Sequence, residues 1–327
     1  MRHALLSAIA LFLPACTAFD HSEIEERLLA LDRHAPLRAA GISRHPARVT
    51  LQGAPLDAEF RYVRAGPRGV GHPTVVLIHG TPGSLFTWSD LLFGGADFAG
   101  LASDFDVVAL DMIGHGITAT PLPDAGATFA LCAEWIGAFL DTLDLRDVTL
   151  VGNSYGGEFA WQAALDRPDR VARLVLMSSS GFARRDDEWL PEEVKMREMA
   201  LAKIGWRISS RERVRGALQP HFAAPVSDTH VEEVYLACAN PSNWGAMIDL
   251  ARDENGTRSA ELAALRQPTL LLWGARDVAY PLDRFARAFA DALPAARLVP
   301  LPDAGHYPQE EAPAAVAREL RAFLAER

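Results

Sequence analysis

The chain has 327 residues, 49% apolar and 23% charged, a composition that excludes an intrinsically disordered protein. Lys and Arg number 32 against 42 Asp and Glu, so the formal net charge is −10. This argues against a nucleic-acid partner, because phosphate binding needs a basic face. Three cysteines (Cys16, Cys132 and Cys238) make no disulfide framework and lack metal-ligand spacing.

A basic start, Met1-Arg2, precedes an almost wholly apolar stretch at residues 4–15. It is shorter than the roughly 20 residues a membrane-spanning helix needs, and it fits the core of a signal peptide. Residues 1–18 are therefore read as a leader. Leu13-Pro14-Ala15-Cys16 resembles the bacterial lipobox, which implies a lipidated Cys16 and attachment to a membrane. Ordinary cleavage after Ala18 is the alternative. Both predict export, to the periplasm or to a lipoprotein anchor in the envelope.

Residues 48–51 and 60–63 alternate in polarity and predict an antiparallel edge pair. Continuous apolar runs follow at 75–78, 107–110, 148–151, 174–177 and 270–273, and these suit strands buried on both faces. Helical stretches at 129–143 and 159–165 lie between them. The βαβα order predicts a mostly parallel central sheet flanked by helices, an α/β fold with all the parallel strands' C-terminal ends on one edge. Residues 181–266 carry no strand signal. Pro191, Ser210, Asp228 and Ser242 mark helix starts there, so a helical cap inserted after the sixth strand separates core segments at 45–180 and 267–327.

The residues suited to chemistry sit where predicted strands end. Gly152-Asn153-Ser154-Tyr155-Gly156 follows one strand and opens a helix. This is the context of a nucleophile elbow, whose glycines make room for a strained turn that lifts the serine clear of the sheet. A serine hydroxyl needs a base, and the base needs an orienting acid. Asp277 ends the turn after the strand at 270–273, and His306 follows the short strand at 298–301. Asp111 and Asp303 are rival acids. Asp111 follows the wrong strand, and Asp303 is too near His306 in sequence to buttress its ring. His79 and His115 are read as loop-bracing, while His72, His221 and His230 have no motif around them.

The chain from about residue 45 onward resembles the α/β-hydrolase fold superfamily, in its capped serine-hydrolase branch. The resemblance rests on the elbow, on His79-Gly80, on Asp111-Met112-Ile113-Gly114-His115-Gly116, on Trp273-Gly274-Ala275-Arg276-Asp277 and on Gly305-His306. It implies catalytic Ser154, Asp277 and His306, with backbone N–H groups of Tyr155 and Thr81 as the oxyanion hole; Pro82 cannot donate. His79-Gly80-Thr81-Pro82-Gly83 and Gly305-His306-Tyr307-Pro308-Gln309-Glu310-Glu311 also resemble haloalkane dehalogenases and epoxide hydrolases. Those families use an aspartate nucleophile, whereas the position here is Ser154. Gly152-Asn153-Ser154-Tyr155-Gly156-Gly157 resembles C–C bond hydrolases of ring-fission products. The expected activity is hydrolysis of a small-molecule carboxylic ester or related acyl substrate through an acyl-enzyme, with no metal or organic cofactor. C–C bond or lactone hydrolysis is the alternative, and a non-catalytic ligand-binding protein is the alternative of another class. Trp189, Met196, Met199, Trp206, Phe222, Tyr235, Trp244 and Met247 in the cap, with Phe86 and Trp88, either line an apolar pocket or pack the cap's own core.

Overall fold

Alternation along the buried strands organises the fold. Val75 and Leu77 enter one apolar core, and Val76 and Ile78 enter the other, on the opposite face of the same strand. Both faces are covered by helices, which is why these strands read as unbroken apolar runs. The computed structural model describes residues 18–326 apart from 70, 200, 201 and 294. Residues 1–17 of the expected leader at 1–18, Cys16 among them, lie outside the described residues.

Eight strands form the main sheet: β1 (Ser43–Leu51), β2 (Ala54–Ala65), β3 (Thr74–Ile78), β4 (Asp106–Leu110), β5 (Val148–Asn153), β6 (Val171–Met177), β7 (Thr269–Gly274) and β8 (Arg297–Leu301). Their spatial order is β1-β2-β4-β3-β5-β6-β7-β8. β2 pairs antiparallel with β1 and β4, and every other pairing is parallel. Strands β1 and β2 are longer than their alternating segments suggested, because antiparallel pairing extends through residues 43–47 and 54–59, most of them at least partly exposed. The fold is that of an α/β hydrolase.

Two helices precede the sheet, where the sequence reading placed no element: α1 (His21–Ala30) and α2 (Ala35–Ala40). Asp20 and Glu23 form a capping box at the start of α1. Ile24, Leu28 and Leu37 are fully buried against the rest of the chain. Next come α3 (Ser89–Phe93), α4 (Phe129–Thr142) and α5 (Tyr155–Asp166).

Between β6 and β7 the described residues carry no strand. They include α6 (Pro191–Glu198), α7 (Arg211–Leu218), α8 (Asp228–Cys238) and α9 (Pro241–Asp253). Pro191 opens α6 and Ser210 caps α7 as read. The caps of α8 and α9 fall earlier than Asp228 and Ser242. Ser227 accepts the His230 N–H, and Asn240 accepts the N–H groups of Ser242 and Asn243. The cap is the residue whose side chain reaches back to the first free N–H groups, so an extended Ser or Asn ahead of the helix takes the role. The C-terminal part adds α10 (Phe285–Ala292), α11 (Pro308–Glu311) and α12 (Pro313–Ala325). Among the described residues, no helix is long and apolar enough to cross a membrane.

Candidate active site

The parallel topology turns three separate strand ends into one site. Ser154 stands between β5 and α5 with φ 57° and ψ −127°. A non-glycine residue held there costs roughly 1–3 kcal/mol, a strain that collects at functional positions. The neighbouring glycines leave no room for a side chain. A Cβ on Gly156 would lie 2.4 Å from the carbonyl oxygens of Ile78 and His79, and one on Gly152 would lie 2.2 Å from that of Gly156.

His306, after β8, brings Nε2 to 2.9 Å from Ser154 Oγ. Its Nδ1–H donates to Asp277 Oδ2, after β7, also at 2.9 Å. The other oxygen, Asp277 Oδ1, accepts the N–H groups of Ala279 (2.8 Å) and Tyr280 (3.1 Å). The carboxylate is thereby fixed, and so is the imidazole tautomer that leaves Nε2 bare towards Ser154. All three side chains are buried, at 4–5% exposure. The rival acids are elsewhere. Asp111 is spent on the N–H groups of Leu85, Ile117 and Thr118. The Asp303 side chain is 90% exposed and faces Arg276.

Tyr155 is the first residue of α5, where a backbone N–H has no partner within the helix. Thr81 lies in the loop after β3, and its hydroxyl donates to His115 Nε2 at 2.5 Å. His115 Nδ1–H donates to the Ile113 carbonyl, leaving Nε2 as an acceptor. Burial, reinforced by neighbouring His79, pushes the His115 pKa down to about 4, so the ring stays neutral. His79 donates from Nδ1 to the Gly80 carbonyl and accepts the Met112 N–H. Both histidines thus brace the loop that carries Thr81. Two small cavities lie beside the site. One of about 20 Å³ touches Gly80, Thr87, Asn153 and Tyr307. Another of about 10 Å³ lies between the Thr81 loop and helices α8 and α9.

Several surrounding residues had no sequence signal. Asn153 Nδ2 donates to the carbonyls of Met177 and His306, joining the Ser154 turn to the His306 turn. Glu254, at the end of α9, accepts both the Tyr155 hydroxyl (2.6 Å) and the Tyr280 hydroxyl (2.9 Å); burial pushes its carboxyl upward. Among the cap side chains, Tyr235 and Met247 are buried in the core, and Phe222 stacks on Tyr307. Met199 is exposed.

A buried charge cluster ties the N-terminal arm to both the insert and the core. The Arg33 guanidinium meets Glu310 (2.5 Å), Asp90 (3.1 Å) and Glu233 (3.3 Å). His34 Nε2–H donates to Glu233 at 2.9 Å. Burial alone would raise the Glu233 carboxyl, but the neighbouring His230, the hydrogen bond from His34 and the charge of Arg33 hold it far below its ordinary range. Burial would lower His230, yet Glu310 and Glu233 outweigh it and push its pKa up to about 9. His230, Glu233 and Glu310 have donor atoms within 4.8 Å of one another, close enough to share a cation. Arg33 already supplies that positive charge.

The sequence profile described as alpha/beta hydrolase fold matches residues 73–313. The chain is 32% identical over 268 residues to a 2-hydroxymuconate semialdehyde hydrolase of Pseudomonas sp. strain CF600, covering 79% of this chain and 88% of that one. It is 28% identical over 290 residues to a haloalkane dehalogenase of Mesorhizobium japonicum, covering 83% and 89%. Among solved structures, a membrane phospholipase A described as a bacterial virulence factor superposes with a TM-score of 0.69 at 26% identity, covering 99% of this chain and 98% of that one.

Proposed function

The chain belongs to the alpha/beta hydrolase fold family, and from that premise we propose that it is a serine hydrolase cleaving a carboxylic ester through an acyl-enzyme. The observation that carries this reading is the unbroken relay Ser154 Oγ–His306 Nε2, His306 Nδ1–Asp277 Oδ2, with both contacts at 2.9 Å. His306 takes the Ser154 proton as Oγ attacks the carbonyl carbon. Asp277 stabilises the imidazolium that forms. The N–H groups of Tyr155 and Thr81 bind the oxyanion, where loss of one donor costs about 10²–10³ in rate. His306 then protonates the leaving alcohol and activates the water that releases the acid. The chemistry calls on no metal or organic cofactor.

Displacement at saturated carbon, the chemistry of dehalogenation, is disfavoured. An alkyl group transferred to Ser154 would leave an ether, which water does not hydrolyse as it does an ester. The likeness to a membrane phospholipase A over almost the whole chain supports an acyl ester of a lipid as the substrate. A second reading, C–C bond cleavage by the same triad, is favoured by the likeness to 2-hydroxymuconate semialdehyde hydrolase. Export through residues 1–18 and acylation of Cys16 belong to the same proposal, and radiolabelled palmitate incorporation lost in Cys16→Ser tests them.

The decisive experiment is Ser154→Ala against p-nitrophenyl esters, with fluorophosphonate labelling of the wild type. Activity and labelling should both vanish in the variant. An unchanged rate refutes the assignment, and an unlabelled, inactive wild type favours a ligand-binding protein. A panel of phospholipids, lactones and ring-fission diketones then separates the ester and C–C readings.

A further inference from the structure

The backbone of the turn that carries the base is held from two sides. The His306 N–H donates to the carbonyl of His221 in the insert at 2.7 Å. The N–H groups on either side, Gly305 (2.9 Å) and Tyr307 (3.2 Å), both donate to Glu311 Oε1. Glu311 Oε2 accepts the N–H of Ala223, again in the insert, at 2.7 Å. A Cβ on Gly305 would lie 2.4 Å from the His221 carbonyl oxygen, so only glycine lets the insert approach this closely. One carboxylate therefore joins the base's turn to the insert and satisfies two of the turn's three donors.

The titratable groups around the His306 ring are Asp277, His221, Tyr280, Tyr307 and Glu311. Burial, with the neighbouring His306 charge, pushes His221 down to about 4, so it is neutral near pH 7. Burial also pushes the Tyr280 and Tyr307 phenols upward, and they stay neutral. Asp277 and Glu311 are carboxylates facing a developing imidazolium; burial raises the Glu311 carboxyl, and the N–H groups of Ala223, Gly305 and Tyr307 with the nearby His306 oppose that rise. Asp277 is hydrogen-bonded to the ring. Glu311 acts on the backbone and through its charge.

We propose that Glu311 is a positioning residue for His306. It sets the base's distance from Ser154 by gripping the peptide groups on both sides, and its charge favours the protonated ring. The proposal rests on the serine-hydrolase reading above.

Glu311→Gln keeps the shape but removes the charge and sets an amide N–H₂ or a single oxygen against three donors. kcat on a p-nitrophenyl ester should fall about 10- to 100-fold, the scale of a small misplacement of reacting groups. KM should stay within about twofold, as no substrate contact is removed. The acid limb of the kcat/KM profile should move to lower pH by about 0.5 unit or more, because the imidazolium has lost a nearby anion. Asp303→Asn, an exposed carboxylate in the same loop, should change none of these. In a Ser154→Ala background, NMR titration of His306 should show the same downward shift on adding Glu311→Gln. Unchanged kcat and an unmoved limb, with only a lower melting temperature, overturn the proposal. If Glu311→Gln does not fold, Glu311→Asp keeps the charge but shortens the reach: kcat should fall with the limb unmoved, and an unaltered kcat overturns the proposal. Failure of the underlying reading looks different, since the wild type itself would then be inactive on esters and unlabelled by fluorophosphonate.

Discussion

Asp277→Asn tests the relay by exchanging one carboxylate oxygen for an amide NH₂. In the native site, Asp277 Oδ1 accepts two backbone N–H groups, from Ala279 at 2.8 Å and Tyr280 at 3.1 Å. An asparagine must keep its only oxygen there, because turning its N–H₂ towards two donors would leave buried N–H groups without an acceptor, at about 1–3 kcal/mol each. The amide N–H₂ is then forced to face His306 Nδ1, 2.9 Å from the native carboxylate oxygen. Nδ1 becomes the acceptor, the ring proton moves to Nε2, and Nε2 can no longer take the proton of Ser154. The same substitution in a serine protease triad lowers kcat by about 10⁴ through the wrong tautomer, about 5.4 kcal/mol of barrier. A loss of that order is expected here, with the melting temperature nearly unchanged because shape and backbone contacts survive. The assay is kcat on a p-nitrophenyl ester alongside a thermal scan. A kcat within about tenfold of wild type in a fully folded protein would refute the reasoning, since it would show that the tautomer is not set by this residue.

Other outcomes follow from packing and charge. A Cβ on Gly274 would sit 1.8 Å from the Gly305 carbonyl oxygen. Gly274→Ala should therefore shift the base's turn and reduce both folded yield and fluorophosphonate labelling; normal labelling would contradict the close approach. Arg33→Met leaves Glu233 and Glu310 buried without their guanidinium, and breaking such a pair costs about 3–5 kcal/mol. For a chain of this length that corresponds to a fall in melting temperature of roughly 4–7 °C, and a fall below about 1 °C would refute it. The same cluster predicts a stability maximum on the acid side of neutrality. Glu233 and Glu310 have lowered folded pKa values, so their contribution is complete above the unfolded value of about 4.3 and is lost as pH falls. His230 is raised to about 9, so its contribution is complete below the unfolded value of about 6.5 and is lost as pH rises through 9. Thermal scans from pH 4 to 10 should show this decline on the alkaline side, and His230→Gln should flatten it.

Much of the site was readable because it depends on local order. An apolar run followed by Gly-x-Ser-x-Gly, or by a turn ending in Asp277 or His306, marks a strand end. Parallel pairing then places these ends together without further information. The residues that secure them were not readable. Asn153, Glu254 and Glu311 act through bonds to groups 24 to 153 residues away, or to a turn whose conformation no local pattern announces. His221 and His230 have no motif, yet the carbonyl of one accepts the His306 N–H and the other sits among carboxylates. The arm formed by α1 and α2 carried a visible signal, the Asp20–Glu23 capping box. Its burial nonetheless depends on surfaces supplied by distant segments.

Periodicity and strand-end residues by themselves settled the layered α/β architecture, the chain order of Ser154, Asp277 and His306, and the edge on which they lie, because each follows from side-chain alternation and the handedness of crossovers. Tertiary structure alone decided how closely the insert and the N-terminal arm enclose that edge, and which carboxylates are held by Arg33 or by backbone N–H groups. Those outcomes depend on desolvation and on distances between segments far apart in the chain, and no local pattern encodes either.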